Sequence, residues 1–392
     1  MRHIGTVSRG IRLPVVTKGE NIVDIISNSI IEAASSEKDG FSFRDRDIVG
    51  VTESLLARSQ GNYVTLDDIS DDVRRRLPDG DVALIFPILS RNRFHQLLRG
   101  IVNGVRGNVH LVLSYPSDEV GNQVIDPMNF YLKSGEISGD TFDEDEYYHV
   151  FGEYKHPFTG VDYVHLYKSI DPSRVFVHFA NNPLAALKFA KNVIVASIHS
   201  RVLHKTILEK AGAFVVSMDE ICSEPVREGA GYNSQYGLLG SNYTNDLSVK
   251  LFPRDSSIFV SELQNELRKK TGKNIEVLVY GDGAFKDPVC GIWELADPVV
   301  SPGFTDGLTG LPKEIKFKYV ADNADGKDPT EAVRNAIASK NEMDKFGHST
   351  LGTTPRRLTD VVGSLCDLTS GSGDKGTPVV YIQGYFDSYL DD

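Results

Sequence analysis

Short apolar runs separated by polar turns dominate the outer parts of the chain, each with the length of one strand or one helix face. Leu13-Pro14-Val15-Val16 reads as extended, and Ile22, Ile25, Ile26 and Ile30 then recur on one face of a helix. Ile48-Val49-Gly50-Val51 reads as a strand, introduced by the polar Asp45-Arg46-Asp47 and released into Thr52-Glu53-Ser54, where a second helix begins. Toward the other end, Phe259, Leu263 and Leu267 share a helix face that stops at Lys269-Lys270-Thr271-Gly272, the glycine acting as C-cap. Ile275-Glu276-Val277-Leu278-Val279 follows as a buried strand that delivers Gly281-Asp282-Gly283 to a loop. A helical pattern from Leu358 to Leu365 and a strand at Val379-Val380-Tyr381-Ile382 complete the rhythm.

The texture changes between residues 115 and 235. The acidic run Asp143-Glu144-Asp145-Glu146 leads into Tyr147-Tyr148-His149-Val150 and Tyr163-Val164-His165-Leu166, which alternate like the two strands of a hairpin. Strands are then expected at Val175-Phe176-Val177, Val193-Ile194-Val195 and Phe214-Val215-Val216. Asn182-Pro183 marks a helix N-cap between the first two, and a helix over 200–211 separates the last two, giving a βαβαβ unit. The expected fold is therefore mixed α/β: a two-lobed body of residues 1–114 and 236–392, interrupted by an inserted α/β subdomain at 115–235.

A chain of 392 residues with 40% apolar content can fill two cores, or one core with a large insertion. Acidic residues number 54 against 42 basic ones, a formal charge of −12 that opposes general binding to nucleic acid or anionic membrane. Any phosphate ligand must be held locally. Cys222, Cys290 and Cys366 are widely spaced with no CxxC pair, so neither a disulfide framework nor a structural zinc site is expected. With Met1-Arg2-His3-Ile4-Gly5-Thr6 running into polar residues, no signal peptide or membrane span is expected, and a cytoplasmic protein is.

Gly371-Ser372-Gly373-Asp374-Lys375-Gly376 has GxGxxG spacing, but a helix precedes it and a strand follows, the reverse of a dinucleotide fingerprint. What remains is a loop whose glycines admit an anion close to backbone N–H groups, with Lys375 as cationic partner, or else a plain surface loop. No GxxxxGK[ST] run occurs. His149, His156, His165, His178, His199 and His204 lie within about 60 residues, but without HxxxH or HExxH spacing they read as ordinary polar-aromatic positions rather than zinc ligands.

Several segments together resemble the F420 γ-glutamyl ligases, which join glutamate to a deazaflavin cofactor using GTP. Gly10-Ile11-Arg12-Leu13-Pro14-Val15-Val16 and the stretch from Asp45 to Asn62 are similar to the family's "GLPLI" opening and the strand and helix after it. The resemblance implies nucleotide contacts from Leu13, Pro14, Val15 and Val16, from Glu53 and Ser54, and from Arg58 in place of the family's lysine. Gly237-Leu238-Leu239-Gly240-Ser241-Asn242 is similar to "GIDASN", which makes Asn242 a nucleotide contact. Leu239 replaces the motif's metal-binding aspartate and cannot coordinate a hard cation, so either Asp118, Asp246 or Asp374 substitutes for it or one metal has been lost. Thr271-Gly272-Lys273 and the strand after it resemble "TGK…ITDTNG", which implies a metal-ligand role for Asp282. The loop Gly371-Ser372-Gly373-Asp374-Lys375-Gly376-Thr377-Pro378 resembles "GEGGDGIP", implying nucleotide contacts throughout; Ser372 stands where a glutamate is expected and Asp374 is the nearby metal candidate. Asp360 reads as structural.

The resemblance implies an amide ligase that activates a carboxylate as an acyl phosphate with GTP or ATP and couples it to glutamate or another amino acid. Mg2+ or Mn2+ would serve the triphosphate, with K+ as a further candidate cation, and a homodimer is implied. No general base is assigned. The altered acidic positions keep a second expectation open, a noncatalytic nucleotide-binding or ligand-sensing protein on the same scaffold. The insert is expected to choose the acceptor.

Overall fold

Strands buried on both faces must be apolar at every position, and the runs Ile48–Thr52, Glu276–Tyr280 and Val379–Gln383 meet that condition almost throughout. In a computed structural model of the chain, residues 4–157, 159–245, 247–281, 301–311, 315–326, 328–339, 357–371 and 375–388 are described. The strands are β1 (Val7–Ile11), β2 (Ile48–Thr52), β3 (Tyr63–Thr65), β4 (Val82–Ile85), β5 (Val109–Leu113), β6 (Thr141–Asp143), β7 (Val175–Ala180), β8 (Asn192–Val195), β9 (Phe214–Ser217), β10 (Asn242–Asn245), β11 (Ser248–Lys250), β12 (Glu276–Tyr280), β13 (Gly303–Phe304) and β14 (Val379–Gln383). The helices are α1 (Ile22–Ala34), α2 (Glu53–Gln60), α3 (Leu66–Arg76), α4 (Phe94–Gly104), α5 (Pro127–Lys133), α6 (Glu144–Phe151), α7 (Tyr163–Lys168), α8 (Arg201–Lys210), α9 (Ser256–Thr271), α10 (Phe317–Asp322), α11 (Pro329–Ala338) and α12 (Leu358–Ser370).

Two compact units result. The first takes the described residues up to 56, then 255–281 and those from 301 onward; the second takes 57–254. The compact units divide at 57 and 255, where the expected insertion ran from 115 to 235. The reason is strand pairing: β4 and β5 precede residue 115 yet pair in parallel with β8 and β7.

The first unit is a five-stranded sheet in the order β1-β14-β2-β12-β13, with only β2 and β12 parallel. Side chains alternate cleanly between its faces. Val49, Val51, Val277, Val279, Val379 and Tyr381 join the isoleucines of α1 and the Phe259, Leu263, Leu267 face of α9. Ile48, Leu278, Tyr280, Val380 and Ile382 join Val362 and Cys366 of α12 on the other side. The predicted helices over Ile22–Ala34 and Ser256–Thr271 are both present, and Gly272 closes the second at φ 68°. Asp47, just before β2, is buried and accepts from Tyr381 Oη (2.7 Å), Gln383 Nε2 (3.0 Å) and the Arg44 N–H (2.8 Å).

The second unit holds a small antiparallel sheet, β10-β11-β3, and a six-stranded sheet, β6-β7-β5-β4-β8-β9, in which β6 alone is antiparallel. From β4 the chain steps outward to β5 and β7, then returns to the other side of β4 for β8 and β9. The expected parallel strands 175–177, 193–195 and 214–216 are present, but β5 and β4 stand between the first two. Helices α3, α4, α6 and α7 cover one face, while α8 and the 3-10 turn Pro183–Lys188 cover the other. The expected hairpin is two helices instead, α6 and α7. Asp143 accepts from the Glu146 N–H and Asp162 from the His165 N–H, so each segment opens on an aspartate N-cap, and three acidic residues in the first turn of α6 favour the helix over the strand.

Gly50 on β2 is where α12 comes closest, because a Cβ there would lie inside the van der Waals envelope of the buried Cys366 Sγ. Gly50→Ala should therefore destabilise the first unit by about 1–3 kcal/mol in urea unfolding. Adding Cys366→Ala should return most of that loss, and purely additive effects would show that the two residues do not meet.

Candidate functional site

The register of the first unit's sheet decides where its loops emerge. Ile11 lies opposite Val379, Val379 opposite Val51 and Val51 opposite Val279, so the segments after β1, β2 and β12 and the segment before β14 all leave at one edge. For the parallel pair β2 and β12 this is the carboxyl edge, where open α/β sheets place their ligands. The Leu13 N–H donates to the Gly376 carbonyl (3.3 Å) and the Thr52 N–H to the Pro378 carbonyl (3.0 Å), tying the three segments together. Thr377 Oγ1 donates to the Ser370 carbonyl (2.8 Å), and its side chain fills the space beside Gly10, where an added Cβ would come within 2.9 Å.

Of the residues picked from sequence, Leu13, Pro14, Val15, Val16, Glu53, Ser54, Lys375, Gly376, Thr377 and Pro378 meet at this edge. Pro14, Val15, Ser54, Lys375 and Gly376 are exposed, whereas Val16 and Glu53 are buried. Arg58 is exposed on α2, four residues after Ser54 and so on the same side of that helix. Gly371 ends α12 at φ 64°, with the Lys375 side chain folded over it. Asn242 opens β10 of the second unit, opposite Lys250. Ser372, Gly373, Asp374, Asp246 and Asp282 lie outside the described residues.

The family model for F420-0:gamma-glutamyl ligase matches residues 10–384. The chain belongs to the F420-0:gamma-glutamyl ligase family. Comparison with curated proteins gives no match. The match also spans residues 63–236, for which the sequence motifs gave no likeness. Membership makes the chain a ligase of mixed α/β fold, and among the described residues no helix is long and apolar enough to cross a membrane.

A divalent metal needs a cluster of oxygen donors, and the described residues of this ligase contain no group of three or more His, Cys, Asp or Glu that could hold one. Leu239, where the family places an aspartate, is buried in the apolar core of the second unit. Asp118 is no replacement, because all its acceptor capacity is used. Its Oδ1 takes the Val120 (3.0 Å) and Asn122 (2.9 Å) N–H groups, and its Oδ2 takes the Leu89 N–H (2.9 Å) and Asn122 Nδ2 (2.8 Å). Burial pushes its carboxyl up, and these donors pull it back. Asp118→Asn should cost about 1–3 kcal/mol in urea unfolding. The same change should leave a manganese titration of the full chain unaltered; a lost metal-binding step would instead make Asp118 a ligand.

The histidines of the second unit do not converge on a metal either. His178 stacks on Phe189 with ring centroids 3.8 Å apart, and its Nε2 lies 3.1 Å from His110 Nδ1. Burial first, and the neighbouring His110 second, push His178 down to about 4 from 6.5. Since the folded value lies below the unfolded one, the neutral ring contributes its full stability above pH 6.5, and that contribution is lost as pH falls toward 4. Urea midpoints measured from pH 7 to pH 4 should drop across this window, and His178→Phe should flatten the drop.

Sequence reading passed over Ser90, Arg93 and Ser241, which line a pocket of the second unit. The available signal was the apolar strand Val82–Ile85 followed by Ser90-Arg91-Asn92-Arg93 and a helix, the strand–loop–helix order of a ligand edge.

Proposed function

We propose that the protein is a nucleotide-dependent acid–amino acid ligase that joins glutamate, or another amino acid, to a carboxylated small-molecule acceptor. The observation that carries this reading is the convergence of residues 13–16, 52–54 and 375–378 at one sheet edge, the segments to which the family resemblance assigns the nucleotide. GTP or ATP would lie along the exposed Leu-Pro-Val loop, with the 371–378 loop and Lys375 compensating phosphate charge.

An acceptor carboxylate oxygen attacks the γ-phosphorus, the bond to the β–γ bridging oxygen breaks, and nucleoside diphosphate leaves. The amine then attacks the acyl carbon of the mixed anhydride, the C–N bond forms, inorganic phosphate departs, and the amine proton passes to a site carboxylate or to water. This chain's residues align the donor and acceptor and supply fixed charge. Mg2+ or Mn2+, when bound, would neutralise the triphosphate, with Asp282 and Asp374 as the carboxylates that the resemblance offers and K+ as a further cation. A cytoplasmic homodimer, with the insert at 115–235 choosing the acceptor, belongs to the same reading.

Purified protein incubated with GTP or ATP, Mg2+ or Mn2+, glutamate and a cell extract should form a new amide together with nucleoside diphosphate and phosphate. Lys375→Ala should weaken nucleotide binding about tenfold, the loss of one charge-assisted contact worth about 1.4 kcal/mol. A chain that neither consumes nor binds nucleotide under any metal condition would end the proposal. The buried Leu239 favours one alternative, a sensor that binds nucleotide without turnover. Calorimetry showing tight, metal-independent binding with no hydrolysis, unchanged in Asp282→Asn, would select it.

A further inference from the structure

The second unit carries a pocket of its own at the carboxyl edge of its parallel sheet. The chain runs from β4 outward to β5 and β7 and returns to β8, so the loops after β4 and β8 depart in opposite directions and leave a crevice between them. The pocket occupies that crevice. Ser90 follows β4, Ala196 and Ile198 follow β8, and Met218 follows β9. The first turn of α4 and the turn at Leu238 to Ser241 close it around about 510 Å³ of empty space, part of it open to solvent. Two buried asparagines set that turn. Asn62 Nδ2 donates to the Phe252 carbonyl (2.6 Å) and its Oδ1 accepts from the Tyr232 N–H (3.0 Å), while Asn233 Oδ1 accepts from the Gln235 (3.0 Å) and Tyr236 (2.8 Å) N–H groups.

The lining has a simple chemistry. Its walls are aliphatic and aromatic, and among the described lining residues Arg93 alone is charged. Ser90 and Ser241 add hydroxyls. Ser241 is 3% exposed and its Oγ has no hydrogen-bond partner among the described residues, a buried donor that native structures rarely leave unmet. Three backbone donors of the β4 loop are already engaged. The Leu89 N–H goes to Asp118 (2.9 Å), the Ser90 N–H to the Tyr167 hydroxyl (2.9 Å) and the Arg93 N–H to Ser90 Oγ (3.0 Å). The loop after β4 carries no glycine cradle for a diphosphate, so an anion there would be met by the side chains of Arg93 and the serines.

We propose that this switch-point pocket binds a small molecule that carries one carboxylate on an apolar body, with Arg93 and Ser241 taking the carboxylate. The proposal rests on the ligase reading only for naming this molecule as the acceptor class; binding itself requires neither nucleotide nor metal.

Isothermal titration of the full chain, without nucleotide or metal, with octanoate and with octan-1-ol tests it. Octanoate should bind at least about tenfold more tightly than the alcohol, and Arg93→Gln should erase that preference. Ser241→Ala should weaken octanoate binding severalfold while holding or raising the urea midpoint of the ligand-free protein, because it removes a hydroxyl with nothing to bond. Equal affinity for acid and alcohol, no binding of octanoate, indifference to Arg93→Gln, or a lower ligand-free midpoint in Ser241→Ala would each overturn the proposal. Octanoate binding in a protein that consumes no nucleotide would leave the pocket standing and remove the ligase reading, and the converse result would do the opposite.

Discussion

A buried carboxylate fixes the frame on which the first unit's loops depend. Asp47 gathers the Tyr381 hydroxyl, the Gln383 amide and the Arg44 N–H just ahead of β2, and Gln383 in turn accepts from Arg9 Nη1 at 2.9 Å. Burial pushes the Asp47 carboxyl up, and the donors oppose that push. Burial and the adjacent carboxylate push the Tyr381 hydroxyl far up as well, so it stays protonated and donates. The bonds join residues more than 330 positions apart in sequence and hold β14 in one register between β1 and β2. A slip of one residue would send Val379 and Tyr381 to the α12 face and Val380 and Ile382 to the α1 and α9 face. Fixed register brings the Leu-Pro loop, the start of α2 and the 375–378 loop to one edge.

The second unit solves a different problem with the same economy of parts. Its sheet needs no long-range carboxylate clamp, because five parallel strands are enclosed by helices on both faces. Acidic side chains tie α3 to the stretch after β9 instead. Asp68 accepts from the Thr65 N–H at 2.9 Å in the capping box that opens α3 and takes Arg227 through Nε at 2.7 Å, and the buried Asp72 accepts from the Cys222 N–H at 2.6 Å and from Arg76 Nε at 2.7 Å. These ties hold the stretch after β9 that continues through Asn233 into the turn bearing Ser241. Asp118, one of the candidate substitute ligands, is engaged in the same kind of work.

Parts of the candidate site were legible in the chain because each depends on a few neighbouring residues. Leu13-Pro14, the Glu53 helix start and the 371–378 glycines carry their signal in local order, and the structure brings the described ones among them together. Arg93 and Ser241 were not legible. They lie 148 positions apart (241 − 93) and become neighbours only through the crossover from β7 back to β8.

By itself, the sequence determined the buried strands, the isoleucine face of α1, the α9 face with its Gly272 stop, the mixed α/β class and the ligase family, since periodicity and short motifs act over one turn or one strand. Tertiary structure alone decided the strand order, the boundary at 57, the helical state of 144–151 and 163–168, and the fate of Asp118. Alternating tyrosines and histidines suit a strand as well as a short helix, and here the aspartate caps and the packing of Tyr147, Val150, Tyr163 and Tyr167 into the core chose the helix. A carboxylate announces its charge in the sequence, but only the folded chain shows whether its oxygens are still available to a ligand.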